Sequence, residues 1–274
     1  MKPRPFDYVR PENVEEAVAL LAEHGEAARV LAGGQSLMAM LNLRLAEPEM
    51  LIDISRLPEL VTIREADGKI DIGAAVTQNK LLGWSGLAAK LPLLAIMLPH
   101  VGHFQTRNRG TICGSIAHAD PSSELPLALA TLDGEVVLRS KKTTRVLSAR
   151  DFQRDMLTTA READELITAV RFPVQTGKQM AFREVTRRHG DFAIIAVAAV
   201  VDGRNIWLGV SGMAGRPVVR HISSHGESAV RDATAALAAE LEGYEDIHAS
   251  ASMRRDMLRN LAPVVVKEAL QCAA

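Results

Sequence analysis

The sequence predicts an α+β protein, and three observations lead there. Several segments repeat apolar residues at i, i+3, i+4 and i+7, the spacing of one helical face. Others are short runs of Val, Ile and Leu bounded by Gly, Pro or Asp-Gly, the texture of strands. The two kinds are mixed along the chain without a regular strand–helix alternation. With 274 residues, 47% of them hydrophobic and 24% charged, the chain is one large domain or two ordinary ones and can bury a core.

The elements follow in order. Residues 6–9 are a short extended run. Val14, Ala17, Val18 and Leu21 mark a helix that Gly25 stops. Residues 29–32 read as a strand that runs through Gly33-Gly34-Gln35-Ser36 into a helix over 37–45. Residues 50–54 are a strand. Segments 61–64 and 69–72 form a hairpin about Asp67-Gly68. Thr77 caps a helix over 78–82, and a nearly all-apolar helix covers 91–101. Residues 107–116 form a second loop rich in small residues. Asp120-Pro121 opens a helix reaching Leu132, with Asp as cap and Pro at the first helical position. A hairpin turns at Lys141-Lys142, and a strand over 165–172 is closed by Pro173. The stretch 173–178 is the expected boundary. Beyond it lie three strands, 180–186, 192–202 and 205–211, and two helices, 228–241 and 252–270. Pro263 is expected to kink or interrupt the last one.

Composition removes several function classes. Lys+Arg is 32 and Asp+Glu is 33, a net charge of -1, so there is no basic excess for nucleic acid or a membrane surface. Two cysteines, Cys113 and Cys272, exclude a disulfide framework and any cysteine-held iron–sulfur or zinc site from this chain alone. The N-terminus lacks an apolar signal region, and the longest apolar stretch, 192–201, is about half a membrane span. A cytoplasmic protein is expected.

Two loops carry the chemistry. Ala32-Gly33-Gly34-Gln35-Ser36 precedes a helix, whose free N–H groups favour an anion. Thr111-Ile112-Cys113-Gly114-Ser115 lies far away in sequence. Glycine lets a backbone approach a ligand closely, so the two loops could pinch a pyrophosphate, with Ser36, Thr111 and Ser115 adding hydroxyls. Either loop alone reads more readily as a tight turn. No G-x-G-x-x-G and no Gly-Lys-Ser/Thr is present. His100 and His103 have a helical metal spacing without a third ligand and read as surface or capping residues. The run 161–165 reads as a solvated loop.

These two loops, with Ile116-Ala117-His118-Ala119-Asp120-Pro121, closely resemble the flavin subunit of molybdenum hydroxylases. Gly73-Ala74-Ala75-Val76-Thr77 is similar to that family's strand-to-helix turn, and 182–188 with Asp191-Phe192-Ala193 to its C-terminal signature. Carbon monoxide dehydrogenase medium subunits are the nearest type, and xanthine dehydrogenase contains a similar domain. The resemblance implies a PCMH-type FAD-binding domain over 1–176, with subdomains of about 1–55 and 56–176. A smaller α+β domain over 177–274, a three-stranded sheet with helices, follows. It implies that the chain passes electrons through FAD from [2Fe–2S] clusters of a small partner subunit to an external acceptor. A large partner would hold the molybdopterin.

The same resemblance places Val30, Leu31, Ala32, Gly33, Gly34, Gln35, Ser36 and Leu37 around the FAD diphosphate. Thr111, Ile112, Cys113, Gly114 and Ser115 would close on it from the other side, and Thr77 joins this set. Glu124 and Asp120 would stand on the adenosine side, where Asp120 reads equally as a plain helix cap. Ile167 would pack against the flavin. Arg183 would approach it as a cation, or be a solvated strand charge. Cys113 replaces the family's usual Gly, and a lone buried thiol is more often inert than reactive. Gln35 has no ring nitrogen for a covalent flavin bond, so FAD should be held non-covalently. No catalytic residue and no metal site is expected in this chain. The alternative is a self-contained flavin oxidase or reductase with its own substrate site.

Overall fold

The structure is a computed structural model that describes residues 2–223 and 226–272. The first layer holds β1 (Asp7–Val9), α1 (Val14–His24), β2 (Ala28–Leu31), α2 (Leu37–Leu43) and β3 (Met50–Asp53). Here β3 lies between β1 and β2 and runs parallel to both. Asn13 starts α1 by accepting the Glu16 N–H at 2.8 Å, which satisfies one donor that the first turn leaves free. Gly25, at φ 51, ends it. Val14, Ala17, Val18 and Leu21 are all buried, as their spacing requires.

The second layer is larger. It comprises β4 (Ile63–Ala66), β5 (Lys69–Gly73), α3 (Gln78–Leu82), α4 (Leu87–Lys90), α5 (Pro92–Met97), α6 (Phe104–Arg109), α7 (Ile112–His118) and α8 (Glu124–Thr131). After these come β6 (Glu135–Arg139), β7 (Thr144–Ser148), α9 (Ala149–Phe152), the small pair β8 (Gln153–Asp155) and β9 (Thr158–Thr159), and β10 (Leu166–Pro173). The sheet runs β4-β5-β10-β6-β7 and is antiparallel throughout. Asp67 and Gly68 both take positive φ, 51 and 72, the turn that matches strand twist in a two-residue hairpin.

The last part holds β11 (Gln179–Val185), β12 (Ile195–Asp202), β13 (Asn205–Ser211), β14 (Val218–Ile222), α10 (Glu227–Glu240) and α11 (Ala251–Gln271). Its sheet is an antiparallel meander of four strands. Alternation divides its two faces. Met180, Phe182, Ala196, Ala198 and Val200 join the core of the first two layers. Ala181, Ile195, Val197, Ala199 and Val201 pack with α10 and α11. Helix α8 crosses close over the first face: a Cβ on Gly209 would lie 1.9 Å from Thr131 Oγ1.

Several expectations need correction. The third sheet has four strands rather than three. The fourth, β14, is an edge strand with a half-exposed pattern, so it lacks a continuous apolar run. The helix expected over 91–101 ends at Met97 and becomes a 3-10 turn over Leu98–His100. Pro99 explains this, because it has no N–H and disfavours the α conformation of the residue before it. Asp120 does not cap a helix: Ser123 stands at that position of α8, and Ala119, at φ 53, ends α7. Asp120 Oδ1 instead accepts the Ser122 N–H at 2.8 Å, forming a turn. Pro263 does not interrupt α11, which runs unbroken through it. Buried residues on both sides, Leu258 and Ala262 before and Val265, Val266 and Ala269 after, hold the helix against the sheet.

The run 161–165 is not a solvated loop either. Glu165 is buried and takes a two-pronged bond from Arg145, at 2.6 and 2.8 Å. Burial raises the Glu165 pKa, but the bonds from Arg145 and the Glu162 N–H outweigh it, and the net direction is downward.

Candidate cofactor site

The first loop follows β2 directly and leads into α2. Gly34 has φ +72, a conformation side chains rarely adopt. Gly33 meets the end of α6: a Cβ there would lie 2.2 Å from the Arg109 carbonyl oxygen and 2.8 Å from Gly110 Cα. The two loops therefore touch backbone to backbone, and only glycine permits it.

The donors of this loop point ahead of α2. The first N–H to bond back is that of Met38, to the Gly34 carbonyl at 3.0 Å. For the N–H groups of Gly33, Gly34, Gln35, Ser36 and Leu37, the described residues supply no acceptor. The Gln35 amide turns inward and donates to the Gly33 carbonyl at 3.3 Å. A run of unspent backbone donors beside a glycine contact fits a diphosphate.

The second segment differs from its expected form. It is the first turn of α7, not a loop, and Gly114 is not among the positive-φ glycines. Thr111 is its N-cap, accepting the Gly114 N–H at 2.9 Å. The Ile112 N–H goes to the Val76 carbonyl at 3.2 Å and the Ser115 N–H to the Thr111 carbonyl at 3.2 Å. Most donors here are already used, so the two segments are not equivalent. A Cβ on Gly114 would lie 2.7 Å from Thr111 Oγ1, which explains glycine there without positive φ. Cys113 is buried, with Sγ 3.5 Å from the Ile72 carbonyl oxygen. Burial pushes its thiol up to about 12, so it stays protonated and unreactive.

Three further segments converge on this place. Thr77 pairs with Thr111, and the Gln78 N–H reaches the Gly110 carbonyl at 2.8 Å. The Ala74 N–H bonds the Thr168 carbonyl at 3.0 Å, which sets Ile167, at the β10 bulge, near the same turn. Thus the 30–37 loop, Thr77, the start of α7 and Ile167 belong to one neighbourhood.

Asp120 and Glu124 stand beyond the far end of α7, about 10 Å away for a helix of seven residues. The segment between them is held by the third sheet and its helices. The Gly212 N–H bonds the Pro121 carbonyl at 3.0 Å, and Ser122 Oγ lies 3.0 Å from the Tyr244 hydroxyl. The Tyr244 ring sits 4.1 Å from the Arg254 guanidinium. Arg254 is fully buried and donates to the Ile194 carbonyl, to the Gly212 carbonyl at 2.9 Å and to Asp246 at 2.6 Å. The sequence reading missed this arginine. Its signal was periodicity, since it falls on the same helical face as Leu258, Ala262 and Val265.

Arg183 is not brought to the loops. It lies on the α11 face of β11, with Nε 2.8 Å from Glu268 and a second bond from Nη2. Its neighbours Phe182 and Glu184 point the other way, toward His100: the rings of Phe182 and His100 meet edge to face at 5.2 Å, and Glu184 lies 3.1 Å from His100 Nδ1. Strand alternation alone separates them. Among the described residues no group of three or more His, Cys, Asp or Glu could hold a metal. No helix among them is long and apolar enough to cross a membrane.

Known proteins resemble this chain in sequence and in fold. Residues 4–175 match the family described as the FAD binding domain in molybdopterin dehydrogenase. The chain is 35% identical to the 6-hydroxypseudooxynicotine dehydrogenase complex subunit alpha of Paenarthrobacter nicotinovorans, over 100% of this chain and 97% of that one. It is 41% identical to the carbon monoxide dehydrogenase medium chain of Afipia carboxidovorans, over 73% of this chain and 70% of the relative. Its fold superposes on the carbon monoxide dehydrogenase of Hydrogenophaga pseudoflava that lacks the Mo-pyranopterin moiety, with a TM-score of 0.95, 33% identity and 100% of both chains covered. The chain therefore belongs to the FAD-binding domain family of the molybdopterin dehydrogenases, as the FAD-binding medium subunit of a molybdenum-hydroxylase-type oxidoreductase.

Proposed function

We propose that this chain binds one FAD non-covalently and relays electrons from the [2Fe–2S] clusters of a small partner subunit to an external acceptor. The complex would be cytoplasmic, with substrate oxidised in a large molybdopterin-binding partner. Bound FAD supplies a redox centre that accepts electrons and gives them up again. The protein's part is to hold and orient it.

The observation that carries this reading is the set of unspent N–H groups from Gly33 to Leu37. In this reading they take the diphosphate, while the Cys113 N–H and Ser115 close on it. Thr77 and Ile167 border the flavin side, and Glu124, with Asp120, borders the adenosine side. Residues 1–176 would form the cofactor-binding part and 177–274 the part that closes it. Arg183 is retained as an FAD contact only if its ion pair with Glu268 opens when the cofactor or a partner binds.

The test is to express the chain alone, load it with FAD and assay it. FAD should bind, leave on acid denaturation and add no mass to the denatured chain. Reduced partner subunit should bleach the flavin, while organic substrates alone should not. Substrate-driven turnover by the isolated chain would instead establish a self-contained oxidase.

A further inference from the structure

Two carboxyl groups are buried where the third sheet meets the cofactor-binding part. Glu124, at the start of α8, is 3% exposed. The side chain of Glu184, near the end of β11, is 4% exposed. Glu184 Oε1 lies 3.1 Å from His100 Nδ1, and its Oε2 is buried with no hydrogen-bond partner. Glu124 feels Glu184 and Asp120 as like charges.

The surroundings offer little positive charge. Burial lowers the His100 pKa, which disfavours a positive charge on its ring. The His189 ring lies 6.3 Å from that of His100 and 6.2 Å from that of His103. Arg107 Nη1 donates to the carbonyls of Pro99, Val101 and Gly102, and no ion pair joins Arg107 to either carboxyl. Arg183 is on the opposite face with Glu268, and Arg187 contacts His248. Two desolvated carboxylates without a cation cannot both ionise cheaply.

We propose that Glu124, at the start of α8, and Glu184, on β11, each keep a proton in the folded chain, so that an uncharged carboxyl borders the adenosine side of the cofactor site and FAD retention is linked to the Glu124 proton. The link to FAD rests on the cofactor reading above, whereas the retained proton does not. Burial raises Glu124 to about 8 and Glu184 to about 7, in keeping with the geometry. The sign follows. The unfolded chain releases these protons near the ordinary carboxyl pKa of about 4.5, while the folded chain keeps them. Stability from this pair is therefore present at acid pH and lost as pH rises toward 7 to 8. Ionised Glu124 would also repel the diphosphate.

The test is urea unfolding of the full chain without cofactor between pH 5 and pH 8, for wild type, Glu184→Gln and Glu124→Gln. Glutamine imitates the protonated acid and cannot ionise. From pH 5 to pH 8, the folding constant of either variant relative to wild type should rise by about a hundredfold, each retained proton giving up to tenfold per pH unit. A ratio that stays constant in both variants overturns the proposal. FAD titrated at pH 6.5 and pH 9 should bind about tenfold more weakly to wild type at the higher pH and equally to Glu124→Gln. Unchanged wild-type affinity overturns the cofactor link. Absence of FAD binding at both pH values overturns the function proposed above, while the unfolding data still decide the retained proton.

Discussion

The hydroxyl of Tyr244 lies 3.0 Å from Ser122 Oγ, joining the connection between α10 and α11 to the turn that precedes α8. The same ring covers the Arg254 guanidinium at 4.1 Å. One tyrosine thus ties the closing part of the chain to the turn that leads to Glu124.

Removing the hydroxyl and removing the arginine should differ sharply. Tyr244→Phe loses one hydrogen bond and keeps the ring over Arg254, so folding stability should fall by about 1 kcal/mol. Arg254→Met leaves the carbonyls of Ile194 and Gly212 and the Asp246 carboxylate without their donor, and should cost roughly 3–5 kcal/mol. Denaturant unfolding measures both, and equal losses would contradict the network.

Gly33 and Gly34 should fail for different reasons. Gly33→Ala drives a Cβ into the Arg109 carbonyl, so the backbone contact between the first loop and the end of α6 must open. FAD affinity should drop by ten- to a hundredfold, equivalent to about 1.4–2.8 kcal/mol. Gly34→Ala meets side chains rather than backbone, at 3.1 and 3.3 Å, and pays mainly for its positive φ, about 1–2 kcal/mol. Flavin fluorescence titration ranks them, and a Gly33→Ala variant with wild-type affinity would remove this loop from the site.

Gly114 and Cys113 make a second contrast. A helical Gly→Ala change ordinarily gains about 1 kcal/mol. At Gly114 the new Cβ instead meets Thr111 Oγ1 and displaces the cap, which costs about 0.5–2 kcal/mol. Gly114→Ala should therefore stabilise less than a helical site permits, or destabilise, and in a Thr111→Ala background, which has neither the cap nor Oγ1, the penalty should disappear. Cys113→Gly keeps the N–H but loses a buried side chain and adds a helical glycine, so it should lose about 1–3 kcal/mol of stability with FAD affinity nearly unchanged. A double-mutant cycle in thermal unfolding checks the first, and paired unfolding and FAD titration the second.

Thiol chemistry gives a prediction independent of the cofactor. Cys272 is exposed and Cys113 buried, and burial holds the Cys113 thiol protonated. At pH 8 the native protein should react with one equivalent of a thiol reagent, and the second should react only on unfolding. Fast modification of both in the native state would contradict the packing under α7.

Much of this protein was determined by sequence alone, and the reason is local. Helical spacing from Val14 to Leu21, the Asp67-Gly68 hairpin, and the Gly33-Gly34 turn each depend on neighbours a few residues away. The buried and exposed faces of β12 could not be read that way, because all seven residues before Asp202 are buried and show no alternation. Only the tertiary structure decided that Arg183 faces α11 while Glu184 faces His100, since side-chain alternation needs to know what covers each face. It likewise decided that Thr111 Oγ1 is spent on a helix cap. The contacts of Tyr244 with Ser122, of Gly33 with Arg109 and of Glu184 with His100 join segments far apart in the chain. Their energies come from desolvation and close contact, which no local pattern encodes.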